Sequence, residues 1–140
     1  MVQQCTITYD PPIIFSLPHS PRIFSFCSSC NMKTFAEYSK EIRKTMHTDF
    51  DMTLSYLALG LTEESGEVSG QMKRVFRDDK GVVSEKRKEL LLKELGDVLW
   101  YLNAMAEELG SSLAEVAALN VAKLKDRQQR DVLRGDGDER

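Results

Sequence analysis

Glu63-Glu64-Ser65-Gly66-Glu67 is answered, after twenty-six intervening residues, by Glu94-Leu95-Gly96-Asp97. Each segment sets carboxylates three apart inside an apolar-periodic run, and residues three or four apart share one face of a helix. Glu64 falls where the apolar stripe should continue: Leu54, Leu57, Leu61, Glu64 and Val68 keep the stride, with a charge in place of a leucine. Glu94 does the same between Leu91 and Val98. A carboxylate turned into a helix bundle loses several kcal/mol to desolvation or surrenders its charge. Several converging acids are worse unless cations hold them together. The pattern predicts a divalent-metal site built wholly of oxygen ligands, the donor set that Mg²⁺ and Mn²⁺ prefer.

Outward from these two helices the chain reads as all-α, a four-helix antiparallel bundle with short connections. Thr34 is an N-cap for a first helix carrying Phe35, Tyr38, Ile42 and Met46, with an end expected near Thr48. The second helix should run from about Met52 to Phe76, with Leu54, Leu57, Leu61, Val68, Met72 and Val75 as its buried edge. Asp78-Asp79-Lys80-Gly81 is a turn, and Ser84 opens a third helix bearing Leu91, Leu95, Val98, Leu102, Met105 and Leu109. Gly110 is the expected stop, and Ser111 or Ser112 the cap of a fourth helix through Leu113, Val116, Leu119, Val121 and Leu124. Trp100, Tyr101 and Leu102 are adjacent and cannot all face one seam, so a second buried surface and a homo-oligomer are expected.

Composition limits the rest. With 140 residues and a net charge of −3, the chain suits one domain and offers no general nucleic-acid surface. No apolar run approaches membrane-spanning length, and a cytoplasmic protein without a membrane partner is expected. Residues 1–31 differ in kind: they hold all four prolines and all three cysteines, with one acid and one base. Prolines break every apolar run there, which argues against a secretory signal. Cys27-Ser28-Ser29-Cys30 has the spacing of half a zinc site, with Cys5 and His19 as conceivable partners, but no second pair follows. The simpler expectation is a disordered or non-native extension before a functional domain at 32–140, whose tail is flexible from about residue 131.

Glu-rich helices are ordinarily solvated faces. Here the acids interrupt the apolar stripe twice, in neighbouring helices, and a glycine (Gly66, Gly96) precedes the last acid of each motif. Glycine inside a helix costs roughly 1 kcal/mol and suggests a close approach by a helix or ligand. Di-iron and di-manganese oxidases use Glu-x-x-His, but His19 and His47 do not follow the candidate glutamates at that spacing. Phosphate chemistry with Mg²⁺ remains, and it needs cations from the protein. Lys73, Arg74 and Arg77 follow the first motif, and Lys123, Lys125, Arg127 and Arg130 crowd the end of the fourth helix. The alternative is a non-enzymatic oligomerisation or partner-binding module with a structural metal or an ion-pair cluster. That reading does not account for acids replacing the stripe in both helices.

Taken together, Glu63-Glu64-x-x-Glu67, Glu94-x-x-Asp97, Lys73-Arg74, Asp97-Val-Leu-Trp-Tyr-Leu102 and Asn120-x-x-Lys123-Leu124-x-x-Arg127 resemble the MazG-like all-α nucleoside triphosphate pyrophosphohydrolases, in their small single-domain form. The resemblance covers residues 32–140. It implies hydrolysis of a ribo- or deoxynucleoside triphosphate to the monophosphate and pyrophosphate, in a homodimer or homotetramer. It also implies Mg²⁺, with Mn²⁺ as a substitute, held by Glu64, Glu67, Glu94 and Asp97. Glu63 would bind a second ion or orient the attacking water, completing a catalytic set of five acids. Asn120 and Lys123 match nucleotide-contacting positions, and Lys73, Arg127 and Arg130 are candidates for phosphate contacts. Trp100 lies three residues after Asp97 and is a candidate to stack the base, as are Tyr101, Phe76 and Tyr56.

Overall fold

Local signals fix where each helix begins. The computed structural model describes residues 32–46 and 54–134, and among these the regular structure is helical. Helix α1, Phe35–Ile42, starts from a capping box: the Thr34 side chain accepts from the Glu37 N–H while Glu37 Oε2 accepts from the Thr34 N–H at 3.1 Å. The chain then tightens into a 3-10 turn, Arg43–Thr45, so the regular α-helix is shorter than the sequence suggests. Helix α2 spans Leu54–Asp78 and α3 spans Glu85–Glu108, the latter capped by Ser84 through the Arg87 N–H. Helix α4, Leu113–Gln129, takes Ser112 as its cap, with Glu115 closing the box.

The helix ends are equally explicit. Gly110 has φ 71, Ser111 N–H reaches Ala106 O at 2.8 Å, and Gly110 N–H reaches Glu107 O at 2.9 Å. This is a Schellman ending, with glycine where a side chain would be strained. The same pair of bonds closes α4 from Val132 and Asp131, with Asp131 taking the left-handed position at φ 56.

The chain folds as an α2–α3 hairpin against which the other two helices lie. The hairpin is antiparallel: Gly60 near the start of α2 meets Tyr101 late in α3, and Gln71 further along α2 meets Glu94 and Arg87. Leu57, Val75, Val83, Ala104 and Ala106 are its buried apolar centre. Helix α1 is tied to α3 by Arg43, which donates from Nε and Nη2 to the two Glu107 oxygens at 3.0 Å each. Ser39 Oγ meets Asn103 Oδ1 at 2.6 Å, and Asn103 is fully buried. Helix α4 packs against α3 and α1.

The apolar stripes need correction. On α2, Leu57 and Val75 are buried and Leu61, Val68 and Met72 partly so, but Leu54 is exposed and Gly60 and Gln71 are buried in its stead. On α3, Leu95, Leu102 and Leu109 are exposed, and the buried positions are Asn103, Ala104 and Ala106. On α4 only Leu113 of the expected stripe is buried; Leu119 keeps 70% of its surface exposed. The cause is geometric: a helix apolar over a wide arc can cover only one side against its own chain. The cysteines, His19 and His47, and the glycine-rich tail beyond Arg134 lie outside the described residues.

Candidate metal centre

Seven-residue spacing puts two lines of side chains face to face in the hairpin. On α2 the line is Leu57, Glu64, Gln71; on α3 it is Arg87, Glu94, Tyr101. Because the helices run antiparallel, the acids meet in the middle. One carboxylate oxygen each from Glu64, Glu94 and Asp97 lie within 4.8 Å of one another. Glu64 and Glu94 are partly buried and Asp97 is exposed at the rim, so the cluster opens to solvent on one side. Three hard oxygen donors from two rigid helices are a fitting set for Mg²⁺ or Mn²⁺.

The remaining acids of the first motif flank this trio. Glu63 and Glu67 are exposed and line a cleft of about 290 Å³ with Gly66, Gly70, Gln71 and Arg74. Glu67 and Arg74 thus share a face, seven residues apart. Burial is the first cause holding the Glu64 carboxyl above the usual glutamate range, and the charges of Asp97, Glu67, Glu63 and Glu94 push the same way. Four acids therefore act on one carboxylate, which is the electrostatic debt a bound cation would relieve.

Behind the acids stands Tyr101. Its ring lies so close to Gly60 that a Cβ there would fall 2.1 Å from the ring, which is why α2 needs glycine at this point. Burial foremost, then the hydrogen bond with Tyr56 and the charges of Glu64 and Glu63, push its hydroxyl up to about 12. Trp100 packs edge-on to Tyr101, with centroids 4.9 Å apart, and donates from Nε1 to Thr45 Oγ1 at 3.0 Å. Its polar edge is thereby engaged with the turn after α1. Tyr38 of α1 also borders the site: burial raises its hydroxyl pKa, and the charge of Asp97 adds to the shift.

The glycines expected to permit close approach do not meet another helix. A Cβ on Gly66 or Gly96 would have nothing within 4 Å, so both sit beside open space, and Gly60 is the glycine the packing requires. The basic residues are dispersed. Lys73 is exposed on α2, and Asn120 and Lys123 are exposed on α4. Asn120 lies seven residues after buried Leu113 and seven before Arg127, hence on the inward line of α4. Arg127 is buried at 5% exposure, unlike the solvated charge its sequence setting suggests. Arg130 pairs with Asp126 at 2.7 Å. A further cavity of about 720 Å³ opens among Phe35, Ala36 and Tyr38 of α1, Leu99 of α3 and Ala114 of α4.

Two side chains that the acidic motifs do not include touch the centre. Gln71 Nε2 donates to Glu94 Oε1 at 2.9 Å, and Arg87 Nη1 donates to Gln71 Oε1 at 2.8 Å. Arg87 Nε donates in turn to Asp79 Oδ2 at 2.9 Å. The signal was in the sequence: Gln71 stands seven residues after Glu64, and Arg87 seven before Glu94.

With this geometry in hand, comparison with known proteins is specific. Residues 52–131 match the MazG nucleotide pyrophosphohydrolase domain, a span that includes both acidic motifs and the connecting turn. The chain is also 40% identical over 87 residues to the Gene 37 protein of Mycobacterium phage L5, an alignment covering 62% of this chain and 76% of the relative. No solved structure matches significantly.

Proposed function

Because the chain belongs to the MazG nucleotide pyrophosphohydrolase family, we propose that it hydrolyses a ribo- or deoxynucleoside triphosphate to the monophosphate and pyrophosphate, with Mg²⁺ as the working ion, in housekeeping of the cytoplasmic nucleotide pool. The observation that carries this reading is the meeting of Glu64, Glu94 and Asp97 across the α2–α3 seam. Glu67 joins these three as a ligand, and Glu63 helps to bind a second ion or orients the attacking water. When bound, Mg²⁺ neutralises phosphate charge and lowers the pKa of a coordinated water. The acids and a triphosphate repel each other without it, so turnover in its absence should be nil.

The chain's own cations complete the polar half of the site. Arg74, on the cleft with Glu67, faces the phosphates, and exposed Lys73 is a further candidate for phosphate contact. Asn120 and Lys123, both exposed on α4, contact the nucleotide, with Arg127 and Arg130 at the end of that helix. The apolar cavity bordered by Tyr38 and Leu99 suits a base, since Tyr38 adjoins both it and Asp97. Trp100 does not line that cavity, and its part in base binding is indirect, through its packing on Tyr101 and its hydrogen bond to Thr45.

Val116, Leu119, Val121 and Leu124 on α4, and Leu95 and Leu102 on α3, are all exposed. Apolar surface of this extent supports a homodimer or homotetramer.

The test is a panel of ribo- and deoxynucleoside triphosphates with and without Mg²⁺, scoring pyrophosphate separately from orthophosphate. Mg²⁺-dependent pyrophosphate release is the expected result. A folded, metal-binding sample that releases none from any nucleotide would replace this reading with a non-enzymatic helical module.

A further inference from the structure

We propose that Gln71 and Arg87 are positioning residues for the metal centre, setting the orientation of Glu94 through a relay that begins at Asp79. The inference rests on the metal-site reading above and deepens it.

The chemistry of the relay dictates its direction. Arginine has only donors, so the group of Gln71 that faces Arg87 at 2.8 Å must be the amide oxygen. The Gln71 NH₂ is then left to face Glu94, where it donates at 2.9 Å. Arg87 is itself fixed, because its Nε is engaged with Asp79 at the turn between the two helices. Each link leaves the next with a single orientation. Gln71 keeps 9% of its surface and the Arg87 side chain 14%, so the chain of bonds runs through a mostly dry seam. In such a seam a satisfied polar network is rigid.

Two consequences follow for Glu94. One carboxylate oxygen, Oε1, is held by a neutral donor, which restricts how the group can turn. The guanidinium is also kept one amide away from the carboxylate. A direct Arg–Glu pair would neutralise the charge that attracts a cation, whereas an amide orients the carboxylate and leaves that charge available. Placing glutamine between them separates the stapling of the hairpin from the binding of the ion.

The experiment is Mn²⁺ titration of the full chain, followed by electron paramagnetic resonance, for wild type, Gln71→Leu, Arg87→Lys and Asp97→Ala. Metal-free thermal unfolding accompanies each titration. Gln71→Leu should bind Mn²⁺ about tenfold more weakly, the usual scale for losing an outer-shell partner. Arg87→Lys should show a smaller loss, since lysine is a point charge that cannot hold both Asp79 and Gln71 as the planar fork does. In turnover, the Mg²⁺ concentration for half-maximal rate should rise in step, with kcat regained at excess Mg²⁺. A merely structural role would not produce that rescue. If Gln71→Leu does not fold, Arg87→Lys carries the test. If the folded variants bind Mn²⁺ within about twofold of wild type, against the larger loss expected, while Asp97→Ala loses binding, the relay is structural and the proposal falls alone. If wild type binds no more tightly than Asp97→Ala, the metal reading fails and takes the proposal with it.

Discussion

The α2–α3 hairpin and helix α4 were built by the same local rules but ended in different states. Helix α3 of the hairpin and α4 both begin and end with well-formed caps, and both carry apolar residues at helical spacing. In the hairpin those residues are matched: Leu57 and Val75 are buried, Gly60 receives Tyr101, and Gln71 is satisfied by Glu94 and Arg87. In α4, Leu113 is buried, while Val116, Leu119, Val121 and Leu124 remain open. The hairpin has a buried centre of its own, although Leu95 and Leu102 on its outer side stay exposed, whereas α4 buries only Leu113 of its apolar stripe among the described residues. The acids meet in the better-packed half, and Asn120 and Lys123 sit on the more exposed one.

Five substitutions test that contrast, the largest expected effect first. Asp97→Ala should lower turnover on the order of 10³-fold, the several kcal/mol that metal charge relief supplies, with the helical circular dichroism unchanged. Near-normal rates would remove the hairpin acids from the chemistry. Leu57→Ala should cost about 2–5 kcal/mol in urea unfolding, as buried leucines do. Leu119→Ala should cost under ~0.5 kcal/mol at concentrations where the chain is monomeric. If the two costs were equal, α4 would be as covered as the hairpin and the contrast would dissolve.

Gly60→Ala should cost about 1–3 kcal/mol, because the new methyl must displace the Tyr101 ring; a neutral result would mean the ring gives way freely. The smallest effect concerns Glu64 in metal-free protein. Its folded-state pKa is raised, so its proton is held more tightly folded than unfolded. That contribution is present below the ordinary glutamate pKa and is lost as pH rises through the raised value. Glu64→Gln should therefore raise the metal-free Tm at neutral pH and narrow its lead on acidification, while weakening stabilisation by Mg²⁺. An unchanged neutral-pH Tm would show that the acids do not strain the seam.

The sequence revealed what depends on neighbours along the chain. Thr34, Ser84, Ser112 and Gly110 marked helix boundaries because caps are local hydrogen-bond chemistry, and each occurs where expected. Glu64, Glu94 and Asp97 were legible together because a charge inside an apolar stripe is costly unless it serves something. Leu95, Leu102 and Leu109 were assigned to the wrong side of α3 because its apolar arc is wide, and only the packed partner decides which edge is inside. Gly60 escaped notice for a related reason: its need for glycine comes from a tyrosine forty-one residues away. Burial of Arg127 was likewise invisible in a run of basic residues.

Trp100 is the sole tryptophan of the chain. Its indole N–H rests on Thr45 beyond α1, its ring abuts Tyr101, and it follows Asp97 by one helical turn. The molecule thus carries an optical reporter at the junction of α1 and the acidic seam. Undocking of α1 would expose the indole and redden its emission, and filling of the acidic cluster would alter the charge one turn away. Steady-state fluorescence can therefore follow both events on the unlabelled chain.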